Sequence, residues 1–233
     1  MSFATKNRMD LQTRLMILLK EAAVRSPWRR RVLPRYVYNF DAAQLCFLCE
    51  CLERTRNIAG SVVEVGVGGG ETTLFLNSYL DASGIDKKYF AVDTFAGFVE
   101  KDIALEVTQR GKRETDYQGV AGFRVNKQTW YDATMQLSGV TRVQSIRADA
   151  NEFDLRSLGA ISFCLLDVDL YRPSKKALGE LYDALSVGGI IVVDDCSAED
   201  ARWDGALQAY QEFMREIAKP EQIIFKKLGV LTK

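Results

Sequence analysis

Apolar residues recur along this chain with two periods. Near the N-terminus, Leu11, Leu15, Leu18, Leu19 and Ala22 fall at helical spacing and predict a helix over 10–25, capped by Asp10 and ended by Ser26-Pro27. The stretch DAAQLCFLCECLERT predicts a second helix over 41–56, with Leu45, Leu48 and Leu52 on its apolar face. The pattern then changes to short apolar runs at 61–65, 89–92, 142–147, 161–166 and 190–193, which read as strands. Helical segments alternate with them, including 174–185 and 202–218. Such alternation implies an α/β fold with a doubly wound, mostly parallel sheet. Residues 222–225 and 229–232 read as a closing hairpin.

This pattern divides the chain into a helical N-terminal arm or cap, residues 1–57, and a main domain, residues 58–233. One connection is out of scale. Between Asp93 and Arg142 runs a long segment that includes the polar, glycine-bearing KRETDYQGVAGFRVNKQTW. Long connections in compact domains are commonly functional, so a lid is expected over about 99–135. Its aromatics, Tyr117, Phe123, Trp130 and Tyr131, either pack on a ligand or anchor the segment to the core.

With 233 residues, 47% of them apolar, the chain can bury a full core. Lys plus Arg and Asp plus Glu each number 31, so the overall balance gives no reason to expect a nucleic-acid-binding surface. The imbalance is local: residues 1–36 carry nine basic side chains against Asp10 and Glu21. The apolar run at 15–19 is too short for a signal-peptide core or a membrane span, and a cytoplasmic location is expected. Five cysteines fit reduced thiols there. Cys46, Cys49 and Cys51 sit in a helical pattern, and the chain has no histidine to complete a zinc site. The arm's leucine face must be covered. A homo-oligomer through the arm is expected, and the alternative is peripheral contact with an anionic membrane through Trp28 and Arg29-Arg30-Arg31.

Candidate chemistry lies at the strand ends. VVEVGVGGGETT, residues 62–73, places Gly66, Gly68 and Gly70 between a strand and a helix, where backbone can approach a ligand closely. A dinucleotide-binding turn would want glycine at 71, but this chain has Glu71, which disfavours a pyrophosphate and tolerates a cationic sulfonium. Glu64 adds negative charge ahead of the turn, and Thr72 lies at the helix start. Asp93, ending FAVD, is placed to accept both hydroxyls of a ribose, and Asp149 with Ala150 is placed beside an adenine. In this order the residues read as an S-adenosylmethionine site.

A second cluster comes from LLDVDLYRPSKKALGELYDALSVGGIIVVDDC, residues 165–196. The runs 161–166 and 190–193 flank a helix in a right-handed βαβ unit, so their ends share one sheet edge. Asp167 ends the first and Asp194-Asp195 the second, at neighbouring-strand separation of about 5 Å. Three ionised groups so close need a cation or protons, and an oxygen-only donor set favours magnesium, with manganese or calcium as alternatives. The competing reading leaves one acid buried while Asp169 and Asp195 cap helices or face water.

VVEVGVGGGETT, FAVDTFAGF and LLDVDLYRPSKKALGELYDALSVGGIIVVDD together resemble the macrocin O-methyltransferase type of class I S-adenosylmethionine-dependent methyltransferases. That resemblance implies a Rossmann-like fold with a helical N-terminal extension, oligomers, and methylation of a sugar hydroxyl on a natural product or glycoconjugate. It makes Asp167, Asp194 and Asp195 magnesium ligands and Asp169 a candidate general base, with Asp167 beside it in the catalytic centre. The glycine turn here lacks the Trp and Arg common in that group, and Pro173 replaces a small polar residue. Without histidine, the base must be a carboxylate, a lysine or metal-bound hydroxide. Tyr171 and Arg172, with Trp130 from the lid, are candidates for lining the pocket of a small-molecule hydroxyl acceptor; Arg172 alternatively pairs with a surface acid. Rival readings are a catechol-type O-methyltransferase, a related metal-dependent hydroxylase and a non-catalytic nucleotide-binding protein.

Overall fold

Strands β1 (Ser61–Val65), β2 (Tyr89–Asp93), β3 (Val143–Arg147), β4 (Ile161–Leu166) and β5 (Leu185–Val193) run parallel in the order β3-β2-β1-β4-β5. This computed structural model describes residues 11–27, 36–118 and 126–233. The expected cap Asp10, the Trp28 and Arg29-Arg30-Arg31 cluster and Phe123 lie outside the described residues. Every residue of β1 and β4 is buried, the pattern of a central parallel strand covered on both faces. Two antiparallel strands complete the sheet: β7 (Leu228–Thr232) pairs with β5, and the short β6 (Ile223–Ile224) lies outside it. The chain therefore has the expected doubly wound, mostly parallel sheet with a closing hairpin.

Two compact units divide at Tyr38 and Asn39, not at residue 57. The smaller contains α1 (Leu11–Arg25), on which Leu11, Leu15, Leu18 and Leu19 are exposed. In the larger, α2 (Ala42–Arg54) opens with a capping box between Asp41 and Gln44 and buries Leu45, Leu48, Cys51 and Leu52. Those buried side chains lie within the larger unit, residues 39–233, which groups this helix with the sheet. Helices α3 (Glu71–Ala82), α7 (Tyr171–Ala184) and α8 (Asp204–Glu216) complete the expected alternation. One core joins Val63, Val65, Cys164, Leu166, Ile191 and Val193 to Leu178, Leu181, Ala209 and Tyr210. No described helix is long and apolar enough to cross a membrane.

Two segments depart most from the sequence pattern. Strand β5 begins at Leu185, because Leu185 pairs with Ile161 before the register shifts on the β4 side. The segment expected as a lid holds α4 (Glu100–Arg110), α5 (Thr115–Gln118) and α6 (Gln128–Leu137). Tyr117 and Tyr131 are each 1% exposed and anchor it to the protein, whereas Trp130 is 51% exposed. Helix α4 escapes a hydrophobic reading because the buried positions include Asp102 and Glu106.

Candidate functional site

Strands β1, β2, β3, β4 and β5 end on one edge of the sheet, and each carries a candidate residue there. At β1 the chain turns sharply at Gly66, with φ of 85°, and a Cβ at this position would stand 1.8 Å from the Asp167 carbonyl oxygen. Only glycine permits that approach, which locks the first turn against the end of β4. Gly68, at φ 50°, has nothing within 4 Å of its Cβ position, so the outer side of the turn is open. Gly70 starts α3, and a Cβ there would collide with Met135 and Tyr131 of α6.

The carboxylates beneath the turn bond to the protein. Asp93 Oδ2 accepts the Val67 N–H at 2.8 Å and the Gly68 N–H at 3.2 Å, and its Oδ1 accepts the Phe95 N–H at 2.6 Å. Glu64, expected to face a cofactor, is 1% exposed, and its Oε2 accepts the Thr73 hydroxyl at 2.6 Å and the Tyr89 hydroxyl at 2.7 Å. Burial pushes Glu64 up to about 7 against the lowering by those two bonds. Its partner on α3 is Thr73; Thr72, expected on the cofactor side, is half-buried at the start of the same helix. Tyr131 extends this cluster from α6, donating to the Thr73 hydroxyl at 3.1 Å. Asp149 accepts the Asn151 N–H at 2.8 Å, forming the turn after β3 beside buried Ala150.

At β4 and β5 the acids meet one another. Register pairs Leu166 with Val193, so Asp167 and Asp194 are adjacent. Among the described residues, one group could hold a metal ion: Asp167, Asp194 and Asp195, with one oxygen from each lying within 4.8 Å of the others. Asp169 and Asp195 have φ of 60° and 57°, left-handed values that are uncommon for side-chain-bearing residues and concentrate at functional sites. Burial first, then repulsion from Asp194 and Asp195, raises Asp167 well above the usual carboxylate range. Asp169 is raised by burial, by Asp167 and by a hydrogen bond with Asp195. Burial and Asp195 push Asp194 up to about 6 against the lowering effect of Lys227. The Lys227 ammonium donates to Asp194 Oδ2 at 2.8 Å and lies 3.5 Å from Asp195 Oδ1. Asp194 is 3% exposed and its Oδ1 has no hydrogen-bond partner.

Tyr171, Arg172 and Trp130, the expected acceptor-side residues, each have protein partners of their own. Tyr171 donates its hydroxyl to Glu212 at 2.7 Å and accepts from Lys175 at 3.0 Å, an arrangement that ties α7 to α8. Arg172 reaches Asp102 at 3.3 Å, and that acid is 3% exposed, so the partner is a buried acid on α4 and not a surface one. Trp130 lies under the Lys127 ammonium at 5.2 Å.

Several supporting residues carried no sequence signal. Asp102 accepts from Asn151 at 2.9 Å as well as from Arg172, linking the turn after β3 to the start of α7. Glu106 accepts the Tyr171 N–H at 2.7 Å and an Arg110 bond at 2.8 Å. Asn126 donates to the Gly68 carbonyl at 2.6 Å. Lys227 reaches the acids from a different hairpin. Only the repeated acidic spacing of Asp102 and Glu106 on one helical face hints at a shared role.

Known proteins resemble the chain in sequence and in fold. A curated relative from Streptomyces olivaceus, 8-demethyl-8-(2,3-dimethoxy-alpha-L-rhamnosyl)-tetracenomycin-C 4'-O-methyltransferase, is 27% identical over 150 residues. That match covers 62% of this chain and 56% of the relative, so the chain spans little more than half of that protein's length. The O-methyltransferase NovP superposes with a TM-score of 0.67 at 17% identity, over 82% of this chain and 79% of its own. CalS11, a calicheamicin methyltransferase, gives 0.64 at 18% identity, over 96% and 93%. Both likenesses establish the fold. Residues 33–226 match the family model described as Macrocin-O-methyltransferase (TylF), and the chain belongs to that family.

Proposed function

We propose that this protein transfers a methyl group from S-adenosylmethionine to a hydroxyl of a small molecule, a sugar moiety of a natural product, with a divalent ion at Asp167, Asp194 and Asp195. The observation that carries the metal reading is the buried Asp194 Oδ1, which lacks a partner inside an all-oxygen acid cluster. Such a group fits a hard cation, and magnesium is the first candidate. Family membership and the sugar O-methyltransferase relative support the methyl-transfer and acceptor classes.

The donor fits the other half of the edge. Gly68 is open above the turn, Asp93 is fixed by three backbone N–H groups and Asp149 by its own turn, so both carboxylates are held in place to receive a ribose and an adenine. S-adenosylmethionine supplies a methyl group on a positively charged sulfur. The protein's work is alignment: the contact between Gly66 and the Asp167 carbonyl joins the turn to the acid cluster and fixes donor and acceptor sites relative to each other. A divalent ion held by the three acids would supply positive charge that orients the acceptor hydroxyl and stabilises its negative charge. Asp169, held in a left-handed turn beside Asp195, is our candidate to take the acceptor proton, a role that requires a cation at the cluster to release the proton its burial and acidic neighbours make it hold. Trp130 remains our candidate contact on the acceptor side.

The test is methyl transfer from labelled S-adenosylmethionine to vicinal sugar diols and to catechols, with magnesium and with excess chelator. Turnover on sugars that chelator abolishes supports the proposal. Catechol preference would transfer the reading to the catechol-type enzymes, and full activity in chelator would remove the metal.

We also propose that α1 is covered by a second copy of the chain. Leu11 is 83% exposed, Leu15 56%, Leu18 63% and Leu19 57%, and burying each contributes roughly 1.5–3 kcal/mol. Replacing Leu15 and Leu18 by Glu should lower the sedimentation coefficient of the full chain. An unchanged coefficient, together with salt-sensitive binding of the unmutated chain to anionic vesicles, would favour the membrane reading instead.

A further inference from the structure

The acid cluster already has one cation of its own. Lys227 stands at the join of β6 and β7, where its N–H donates to the Ile224 carbonyl at 3.1 Å and its carbonyl accepts the Cys196 N–H at 2.7 Å. The second bond ties the hairpin to the residue directly after Asp195. The ammonium is steadied by Asp194 Oδ2 at 2.8 Å, by Asp195 Oδ1 at 3.5 Å and by the face of Phe40 at 5.1 Å. Backbone, carboxylates and ring thus converge on one position for the amine.

That position divides Asp194 into two unlike oxygens. Oδ2 is occupied by Lys227, while Oδ1 is buried and has no partner. We propose that Lys227 determines which ion the cluster prefers: by holding Asp194 Oδ2 it leaves a single oxygen for coordination and so favours magnesium over calcium. The proposal rests on the metal reading of Asp167, Asp194 and Asp195 given above.

The chemistry follows from how the two ions use carboxylates. Calcium takes six to eight oxygens and readily binds both oxygens of one carboxylate, whereas magnesium demands a compact octahedron and keeps several waters. A carboxylate whose second oxygen accepts from an ammonium must break that bond to bind calcium through both. The lysine charge also repels any divalent ion, but it repels two ions of equal charge alike. The ratio of the two affinities therefore isolates the geometric effect from the electrostatic one.

The test is calorimetric titration of magnesium chloride and calcium chloride into the full chain and its Lys227→Met, Lys227→Arg and Asp194→Asn variants. Lys227→Met should tighten both ions and move the ratio toward calcium by roughly tenfold or more, the scale of outer-shell effects at metal sites. Lys227→Arg, which keeps a cationic donor, should hold the original ratio. Should Lys227→Met fail to fold, judged by circular dichroism, Lys227→Leu likewise removes both the charge and the donor to Asp194 Oδ2 and should shift the ratio in the same direction. Equal tightening of both ions by the neutral variant leaves Lys227 as a simple counter-charge and overturns the proposal. If the unmutated protein binds neither ion, or Asp194→Asn binds as well as it does, the metal reading itself fails and this proposal with it.

Discussion

At the ends of β1, β2 and β3 the carboxylates are bonded to the protein, while at the ends of β4 and β5 they are turned on one another. Asp93 accepts three backbone N–H groups, Glu64 two hydroxyls and Asp149 its own turn. Asp167, Asp194 and Asp195 crowd within 4.8 Å with one lysine between two of them and one oxygen orphaned. The first region is complete without a ligand, and its polar groups stabilise the turn before anything binds. The second is incomplete, because like charges in a buried site oppose folding unless a cation is added. A preorganised pocket for the donor thus adjoins a strained one that gains most from an ion.

The largest test of that contrast is Asp167→Asn. Removing one acid should lower methyl transfer by about a thousandfold or more, several kcal/mol of lost charge stabilisation. The same substitution should raise the melting temperature of the ion-free protein, because burial and its acidic neighbours already hold Asp167 far above its ordinary range. An active variant, or one destabilised in chelator, would break the comparison.

Glu64→Gln probes the complete region through pH. The folded carboxyl sits at about 7 against an ordinary 4.5, so the native state holds the proton more tightly than the unfolded chain. Its contribution to stability is full below pH 4.5 and is lost as pH rises through 7, a total of roughly 3 kcal/mol. Glutamine keeps an acceptor for Thr73 and Tyr89 and does not ionise. Urea denaturation should show the variant gaining on the parent as pH goes from 5 to 8; a constant difference would mean that Glu64 stays ionised throughout.

Asp93→Ala should follow, with at least a tenfold weaker affinity for S-adenosylhomocysteine by calorimetry. Hydrogen bonds to a charged group contribute roughly 1.5 to 3 kcal/mol each. Asp93→Asn should recover part of the loss, since its side-chain oxygen can still accept the Val67 and Gly68 N–H groups. No recovery would place the importance of Asp93 in its charge toward the ligand and not in its grip on the turn.

The contrast also separates what the sequence made legible from what it did not. Strand β4 and the second half of β5 were readable because complete burial produces continuous apolar runs, and the acids at 167, 194 and 195 stood out by ending them. Helix α4 was hidden because two of its buried positions are acids, satisfied by Arg172, Asn151, Arg110 and the Tyr171 N–H. The inward role of Glu64 was hidden because a strand buried on both faces gives no sign of which face a side chain takes. Lys227 was invisible for a different reason. Its meeting with Asp194 depends on β7 crossing back beside β5, with Val193 opposite Gly229, and no local pattern encodes that register.

The smallest effect should come from Tyr131→Phe, which asks whether α6 belongs to the turn or only roofs it. The hydroxyl donates to Thr73 at 3.1 Å, and Thr73 in turn donates to Glu64 at 2.6 Å. Phenylalanine keeps the ring against Gly70 and Phe95 and removes one neutral hydrogen bond, a cost of about 1 kcal/mol in stability. Because Thr73 still donates to Glu64 and Asp93 still grips the turn, S-adenosylhomocysteine should bind within about threefold of the parent, less than 1 kcal/mol. A tenfold loss would mean that the turn is not complete without α6, and that the segment between β2 and β3 is part of the donor site.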